Sequence, residues 1–261
     1  MPIALLEDRA VIAVAGPEAR PFLQGLITND VERLEPGKGL YAALLTPQGK
    51  ILFDFFLVEG DGAVLIDCHA ASRDALLKRL TLYKLRAKVV LEARDQLAVL
   101  AEWDGAEAKY AIAYPDPRLA ALGRRAIISK GEMRQDLLSA PAYHAHRLAL
   151  GVPEAGDFGT DRMFALDADL DELHAVDFKK GCYVGQELTA RMKHRGTARK
   201  RLLPVQGEPG AAVTAGGKDI GEVVSADFAL VRLDRLEDAA GAPVTIGSSV
   251  VELRRPAWLF A

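Results

Sequence analysis

Cysteine is scarce here: Cys68 and Cys182 are the only two in 261 residues, too few for a disulfide framework. Long apolar runs are missing as well. None reaches the roughly 18 to 20 residues of a bilayer crossing, so a membrane span is excluded and no membrane partner is expected. Neither Gly-x-Gly-x-x-Gly nor Gly-x-x-x-x-Gly-Lys-Ser/Thr occurs, which weakens dinucleotide and nucleoside triphosphate readings. No charge sign dominates: 33 Lys and Arg against 36 Asp and Glu give a net charge of −3, so attraction to a polyanion has to be local. The opening residues Met-Pro-Ile-Ala-Leu-Leu-Glu-Asp carry no basic n-region or cleavage pattern. Together with the few cysteines, that gives the expectation of a reducing, cytoplasmic setting. With 50% apolar residues, the chain can bury a sizeable core in two or three compact units.

What is present centres on residues 178–191. Cys182 stands between Gly181 and Gly185, with Lys179 and Lys180 before it, Tyr183 after it and Gln186-Glu187-Leu188-Thr189-Ala190-Arg191 beyond. A thiol acts as nucleophile or metal ligand in its thiolate form, which nearby cations and the N–H groups of a helix N-terminus favour. Lys179 and Lys180 can supply the first, and a helix starting near Gly185 or Gln186 the second. Gly181 and Gly185 permit tight or positive-φ turns. The alternative is a buried, inert cysteine packed as a small apolar residue.

Upstream, residues 11–15 predict a strand, 18–27 a helix, and 39–46 and 51–58 two strands joined at Pro47-Gln48-Gly49-Lys50. Asn29 and Asp30 read as turn residues or as pocket lining. Asp54 stands among Phe53, Phe55 and Phe56, so it either faces water on an alternating strand or has a specific partner. A strand at 63–67 leads to a helix capped by Ser72, with Ala75, Leu76, Leu80, Leu82, Tyr83 and Leu85 as its apolar side. Further strands are predicted at 88–92, 97–103, 110–114 and 126–128, and an interrupted helix at 133–150. This pattern predicts an antiparallel α+β unit. His144 and His146, two apart on that helix, point to different sides and do not jointly hold a metal.

Residues 154–175 read as a solvated acidic loop. From Lys179 to Arg201 there are eight Lys or Arg and one acid, Glu187, a run that reads either as a polyanion-binding segment or as a solvated linker. Short glycine-spaced strands at 202–205, 221–225, 228–233, 244–246 and 250–253 predict a small all-β barrel or sandwich beyond a boundary near residue 197.

The run Lys180-Gly181-Cys182-Tyr183-x-Gly185-Gln186-Glu187 resembles the signature of the YgfZ family, folate-binding relatives of the glycine-cleavage T-protein that act in iron–sulfur protein maturation. Residues 22–30, residues 45–54 and Arg147-x-x-x-Gly151-x-Pro153 match other motifs of that family. The resemblance implies an α+β, three-domain T-protein-like ring with a ferredoxin-like α+β part and a C-terminal β-barrel. It divides the chain into a folate-binding domain at 1–46 and 125–197, a ferredoxin-like domain at 47–124 and the barrel at 198–261. It also implies a tetrahydrofolate pocket with Asn29, Asp30, Gln48, Asp54, Gln186, Glu187 and Arg191 as candidates, and Cys182 as the functional thiol. The motif around the T-protein's catalytic carboxylate is not found here, so aminomethyl transfer is not carried over.

A cluster usually takes four protein ligands, most often thiolates. Cys182 is therefore expected to give one ligand to an iron–sulfur cluster shared with a partner such as an A-type carrier. The rivals are a tetrahydrofolate-dependent one-carbon transferase and a factor in tRNA modification; nucleic acid is not the favoured partner.

Overall fold

A computed structural model describes residues 2–105, 109–196 and 199–260; the boundary expected near residue 197 lies outside the described residues. The chain groups into two compact units. The first comprises Met1–Leu45, Phe53–His146 and Leu173–Val184, the second Thr46–Leu52, Arg147–Glu172 and Gly185–Ala261.

The first unit holds, in order, β1 (Ile3–Leu5), β2 (Arg9–Ala15), α1 (Ala19–Gln24), β3 (Leu40–Leu45), β4 (Ile51–Gly60) from Phe53 on, β5 (Ala63–His69), α2 (Arg73–Lys84), β6 (Val90–Ala93), β7 (Leu97–Glu102), β8 (Ile112–Pro115), β9 (Arg124–Ser129) and α3 (Ala140–Ala149) up to His146. Five strands form one sheet in the order β3-β4-β5-β2-β6 and four form another, β1-β7-β9-β8. Val11, Ile12 and Val14 of β2 are β-branched, which suits a pleated, packed surface, and β2 runs antiparallel to both β5 and β6. Strands β4 and β5 close as a hairpin with Gly60 opposite Ala63. Asp61 and Gly62 both take positive φ, the condition for the primed two-residue turn. The core packs Ile12, Val14, Leu23, Ile27, Phe55 and Ile66 with Leu76 and Leu80 of α2.

Several local expectations shift. Helix α3 starts only at Ala140, and residues 133–139 are irregular. Ser72 sits at the N-cap of α2, but its hydroxyl donates to the His69 carbonyl rather than accepting from the helix. Leu82 and Leu85, assigned to the apolar side of that helix, are exposed.

The second unit contains α4 (Ala155–Phe158), α5 (Gln186–His194), β10 (Lys200–Pro204), β11 (Ala212–Ala215), β12 (Lys218–Ser225), β13 (Phe228–Arg232), α6 (Leu233–Asp238), β14 (Val244–Ile246) and β15 (Ser249–Val251). Its six strands order as β10-β13-β12-β11-β14-β15 over a core of Leu203, Val213, Ile220, Val223, Val231 and Leu259. Gly151 takes φ +71, and a Cβ there would lie 2.7 Å from Pro204 and 2.8 Å from Pro256; no larger residue fits.

The acidic stretch is not the solvated loop expected. Asp157, Asp167 and Asp169 are buried, and Asp157 and Asp169 meet arginines brought from elsewhere in the sequence. The Arg147 guanidinium donates to Asp157 at 2.8 Å and to the Val152 carbonyl at 2.7 Å. Arg201 lies 3.6 Å from Asp169 and 3.2 Å from Asp171, and it donates to the Leu166 carbonyl. Acids outnumber cations around Arg201. Burial lifts the Asp167 carboxyl to about 6 against the pull of Lys200 and Arg201, and burial holds Asp169 well above the usual carboxylate range.

The consequence for stability has a definite sign. A folded-state pKa raised from 3.8 to about 6 means that the folded chain holds more protons than the unfolded one between those values. Stability therefore falls as pH rises through that window. Relative to wild type, Asp167→Asn is expected to gain stability from pH 4 to 7, reaching about 3 kcal/mol, as read by denaturant midpoints across that range. A difference that stays flat with pH contradicts the assignment.

Candidate functional site

The cysteine segment is built from Asp177 upward. Oδ1 of Asp177 accepts from the backbone N–H groups of Lys179 and Lys180 at 2.6 and 3.0 Å, a local turn closed by a short acid. Oδ2 accepts from Arg33 at 3.1 Å. Burial alone would raise this carboxyl, but those donors hold it below its usual value. Lys180 then turns inward. Its ammonium donates to the carbonyls of Gln24, Ile27 and Asn29 at 2.9, 2.7 and 2.7 Å and sits 5.2 Å from the centroid of the Tyr183 ring. Burial lowers its pKa to about 8, while Asp30 and Asp177 pull it upward.

Lys180, expected as a cation beside Cys182, commits its ammonium to three carbonyls as a structural peg. Lys179 is exposed. The sulfur of Cys182 is exposed too, whereas Cys68 is buried and both are unpaired. Burial pushes the Cys68 thiol up to about 12, and its sulfur faces the Ala10 carbonyl. The inert-cysteine alternative thus describes Cys68 and not Cys182. Gly181 does not take positive φ, and nothing lies within 4 Å of a Cβ built there, so its expected conformational role is not seen.

Asn29 and Asp30 are bonded within the same unit. The Asn29 amide donates to the carbonyls of Tyr41 at 2.7 Å and His174 at 2.8 Å. Asp30 caps the short 3-10 turn Val31–Arg33 by accepting from Glu32, and it accepts from Gln24 at 2.8 Å. Asp54 is buried rather than facing water and accepts from the Tyr41 hydroxyl at 2.9 Å, so the specific-partner alternative holds.

Behind Tyr41 lies a buried charge network that the sequence reading missed. Arg118 donates to both oxygens of Asp116 at 3.0 and 2.8 Å and to the Tyr143 hydroxyl at 2.9 Å. Arg9 and Arg125 share Asp67, and the Arg118 and Arg125 guanidiniums stand 4.7 and 4.0 Å from the centroid of Phe56. Asp67 at the end of an apolar strand was the available signal, since such a carboxylate needs a partner. His144 bonds Asp8 at 2.8 Å, whereas His146 stacks on Trp103.

In the second unit, Gly185 takes φ +82 and begins α5. Glu187 lies in the first turn, and Arg191, Lys193 and His194 in the last, an order that suits the helix dipole. The Gln48 turn packs on the start of this helix: a Cβ on Gly49 would lie 3.3 Å from Leu188 and 3.4 Å from the Gly185 carbonyl. Gln48, Glu187 and Arg191 are exposed and Gln186 is half-buried. Gln48, Gln186, Glu187 and Arg191 therefore share one unit, and Asn29, Asp30, Asp54 and Cys182 share the other. The basic run is no continuous polyanion surface: Lys180 and Arg201 are buried, Lys193 pairs with Asp171 and Arg199 with Asp234.

Comparison with known proteins adds the family. Residues 199–261 match the model described as the CAF17 C-terminal beta-barrel domain, in line with the barrel expected there. The human protein named iron-sulfur cluster assembly factor IBA57, mitochondrial, is 36% identical over 83% of this chain and 72% of its own length. The chain belongs to the IBA57 family. The mouse IBA57 protein is 35% identical over 80% of this chain and 70% of its own length. A Neurospora crassa IBA57 homolog is 35% identical over 76% of this chain. The chain spans about half of that fungal relative, 52%.

A solved structure titled glycine cleavage system aminomethyltransferase T from Bartonella henselae superposes with a TM-score of 0.76 over 98% of this chain and 86% of its own, at 17% identity. That likeness shows the fold. The α+β class with a T-protein-like fold and a C-terminal barrel stands. The motif resemblance holds at the level of an iron–sulfur assembly family with that fold. The cytoplasmic expectation does not stand, because these IBA57 relatives are named as mitochondrial proteins.

Replacing Lys180 by Met leaves three carbonyls without their shared donor. Leaving buried acceptors unmet costs about 1–3 kcal/mol, so Lys180→Met is expected to lose about 3 kcal/mol in urea unfolding. Exposed Lys179→Met is expected to stay within about 0.5 kcal/mol of wild type. Equal behaviour of the two variants contradicts the peg.

Proposed function

We propose that this chain acts in the assembly of iron–sulfur clusters and presents Cys182 as one ligand of a cluster shared with an A-type carrier protein. The observation that carries this reading is that Cys182 is exposed while Cys68, the other cysteine, is sealed in the core. A cluster asks for about four protein ligands, and one outward sulfur per chain leaves the rest to a partner. On binding, the Cys182 thiol gives up its proton and its sulfur replaces one existing thiolate on an iron of the cargo cluster; the departing thiolate takes up the proton, and no electron transfer is needed. The Asp177 turn and the Lys180 peg hold the backbone that presents the sulfur, so little order has to be acquired when the partner arrives.

Mixing the purified chain with a cluster-loaded A-type carrier tests the reading. Wild type and Cys68→Ser are expected to form a coloured complex with altered visible circular dichroism, and Cys182→Ser is not. A coloured complex of the same spectrum with Cys182→Ser overturns the shared-ligand reading.

For the folate that the resemblance implies, the donor chemistry of the second unit fits. Gln48, Gln186 and Glu187 offer amide and carboxylate partners for a pterin edge, and the exposed Arg191 suits the glutamate carboxylates. Tetrahydrofolate, when bound, would supply a reduced pterin able to influence conformation or local redox chemistry. Asn29 and Asp30 already spend their side-chain bonds internally. Isothermal titration with tetrahydrofolate is therefore expected to show Arg191→Ala binding roughly tenfold more weakly or worse; an unchanged affinity removes Arg191 from the site.

A further inference from the structure

Away from the cysteine segment, residues 75–91 contain Lys78, Arg79, Lys84, Arg86 and Lys88 and no acid, on a chain whose net charge is −3. Among the described residues none of these five cations forms an ion pair. Glu18 reaches this stretch, but its carboxylate accepts from the backbone N–H of Lys88 rather than from its ammonium. The same stretch exposes large apolar side chains: Leu82 is 63%, Leu85 88% and Val90 59% accessible. Helical spacing sets Leu82 beside Lys78 and Arg79, four and three residues back, and Leu85 and Arg86 follow just past the end of α2 at Lys84. Leu85 ends α2 with φ +43 and ψ −106, a conformation that side chains other than glycine rarely adopt. Its side chain points outward with no core contact to compensate.

We propose that the outer face of α2, the turn at Leu85 and the start of β6 form a contact surface for an anionic lipid bilayer. Charge complementarity selects that occupant. Unpaired cations around outward aliphatic tips match acidic headgroups above acyl chains, as in helices that lie at a membrane surface. A second copy of the chain fits poorly, since a two-fold pairing of this patch sets five cations against five. Nucleic acid would meet phosphates with the cations but would leave three aliphatic side chains without a role. This is a surface contact and not a span; no helix among the described residues is long and apolar enough to cross a membrane.

Co-sedimentation of the full chain with vesicles tests it. Binding is expected to vesicles of mixed phosphatidylcholine and phosphatidylglycerol but not to phosphatidylcholine alone, and to fall as salt rises. Arg86→Glu with Lys88→Glu is expected to weaken partitioning roughly 25-fold or more, about fivefold per cation. Leu85→Ser is expected to weaken it roughly tenfold. Leu85→Gly separates binding from folding: it relieves the backbone, so the melting temperature is expected to rise while vesicle binding falls. Equal binding to neutral vesicles, no binding to either, or unchanged binding by the charge-reversed variant overturns the proposal. So does capture of poly-glutamate or single-stranded RNA by a chain that ignores anionic vesicles.

Discussion

One ammonium group sets the geometry on which the cysteine segment depends. Lys180 reaches the carbonyls of Gln24, Ile27 and Asn29, so residues more than 150 positions away in the chain fix where the loop leaves the core. The Gln24 carbonyl ends α1, where partial negative charge gathers, and those of Ile27 and Asn29 lie just beyond it. The cation answers it, and Asp177 locks the two preceding N–H groups. A sulfur two residues after such an anchor cannot drift far, yet it stays outside.

The same logic runs through the rest of the molecule: buried carboxylates are met by arginines, several of them from distant sequence. In the first unit Asp67 is gripped by Arg9 and Arg125, and Asp116 by Arg118. In the second, Arg147 holds Asp157, and Arg201 holds Asp169 and Asp171. Pairs of this kind add little net stability compared with apolar packing, but breaking one strands a buried charge. The arrangement therefore specifies how segments come together more than it strengthens the whole.

Much of this was legible in the amino-acid order and some was not. Short β-branched runs between turn residues located β2, β4, β5 and the barrel strands other than β11 (Ala212–Ala215), since strand pattern and turn chemistry are local properties. The Cys182 motif, with the N-terminal ones, pointed coarsely to an iron–sulfur assembly family of this fold. The acidic stretch misled, because counting charges cannot show that Arg147 and Arg201 would fold onto it. Lys180 misled for a related reason: a lysine two residues from a cysteine looks like a neighbour, but the backbone turn at Asp177 directs the ammonium inward. Asp61-Gly62, an Asp-Gly pair between two apolar runs, was an available hairpin signal that went unread, as was the carboxylate of Asp67 in its strand. Setting and partner chemistry are not encoded in local pattern at all, which is why the compartment was misjudged until related chains were compared.

The contrast between the two cysteines has a practical corollary. Cys68 sits within β5 with no accessible surface, while Cys182 stands open. A maleimide dye or nitroxide added to the native chain should thus attach at a single address, with no cysteine engineered out beforehand. The wild-type molecule carries its own handle for following, by fluorescence or paramagnetic broadening, whatever comes to rest beside that loop.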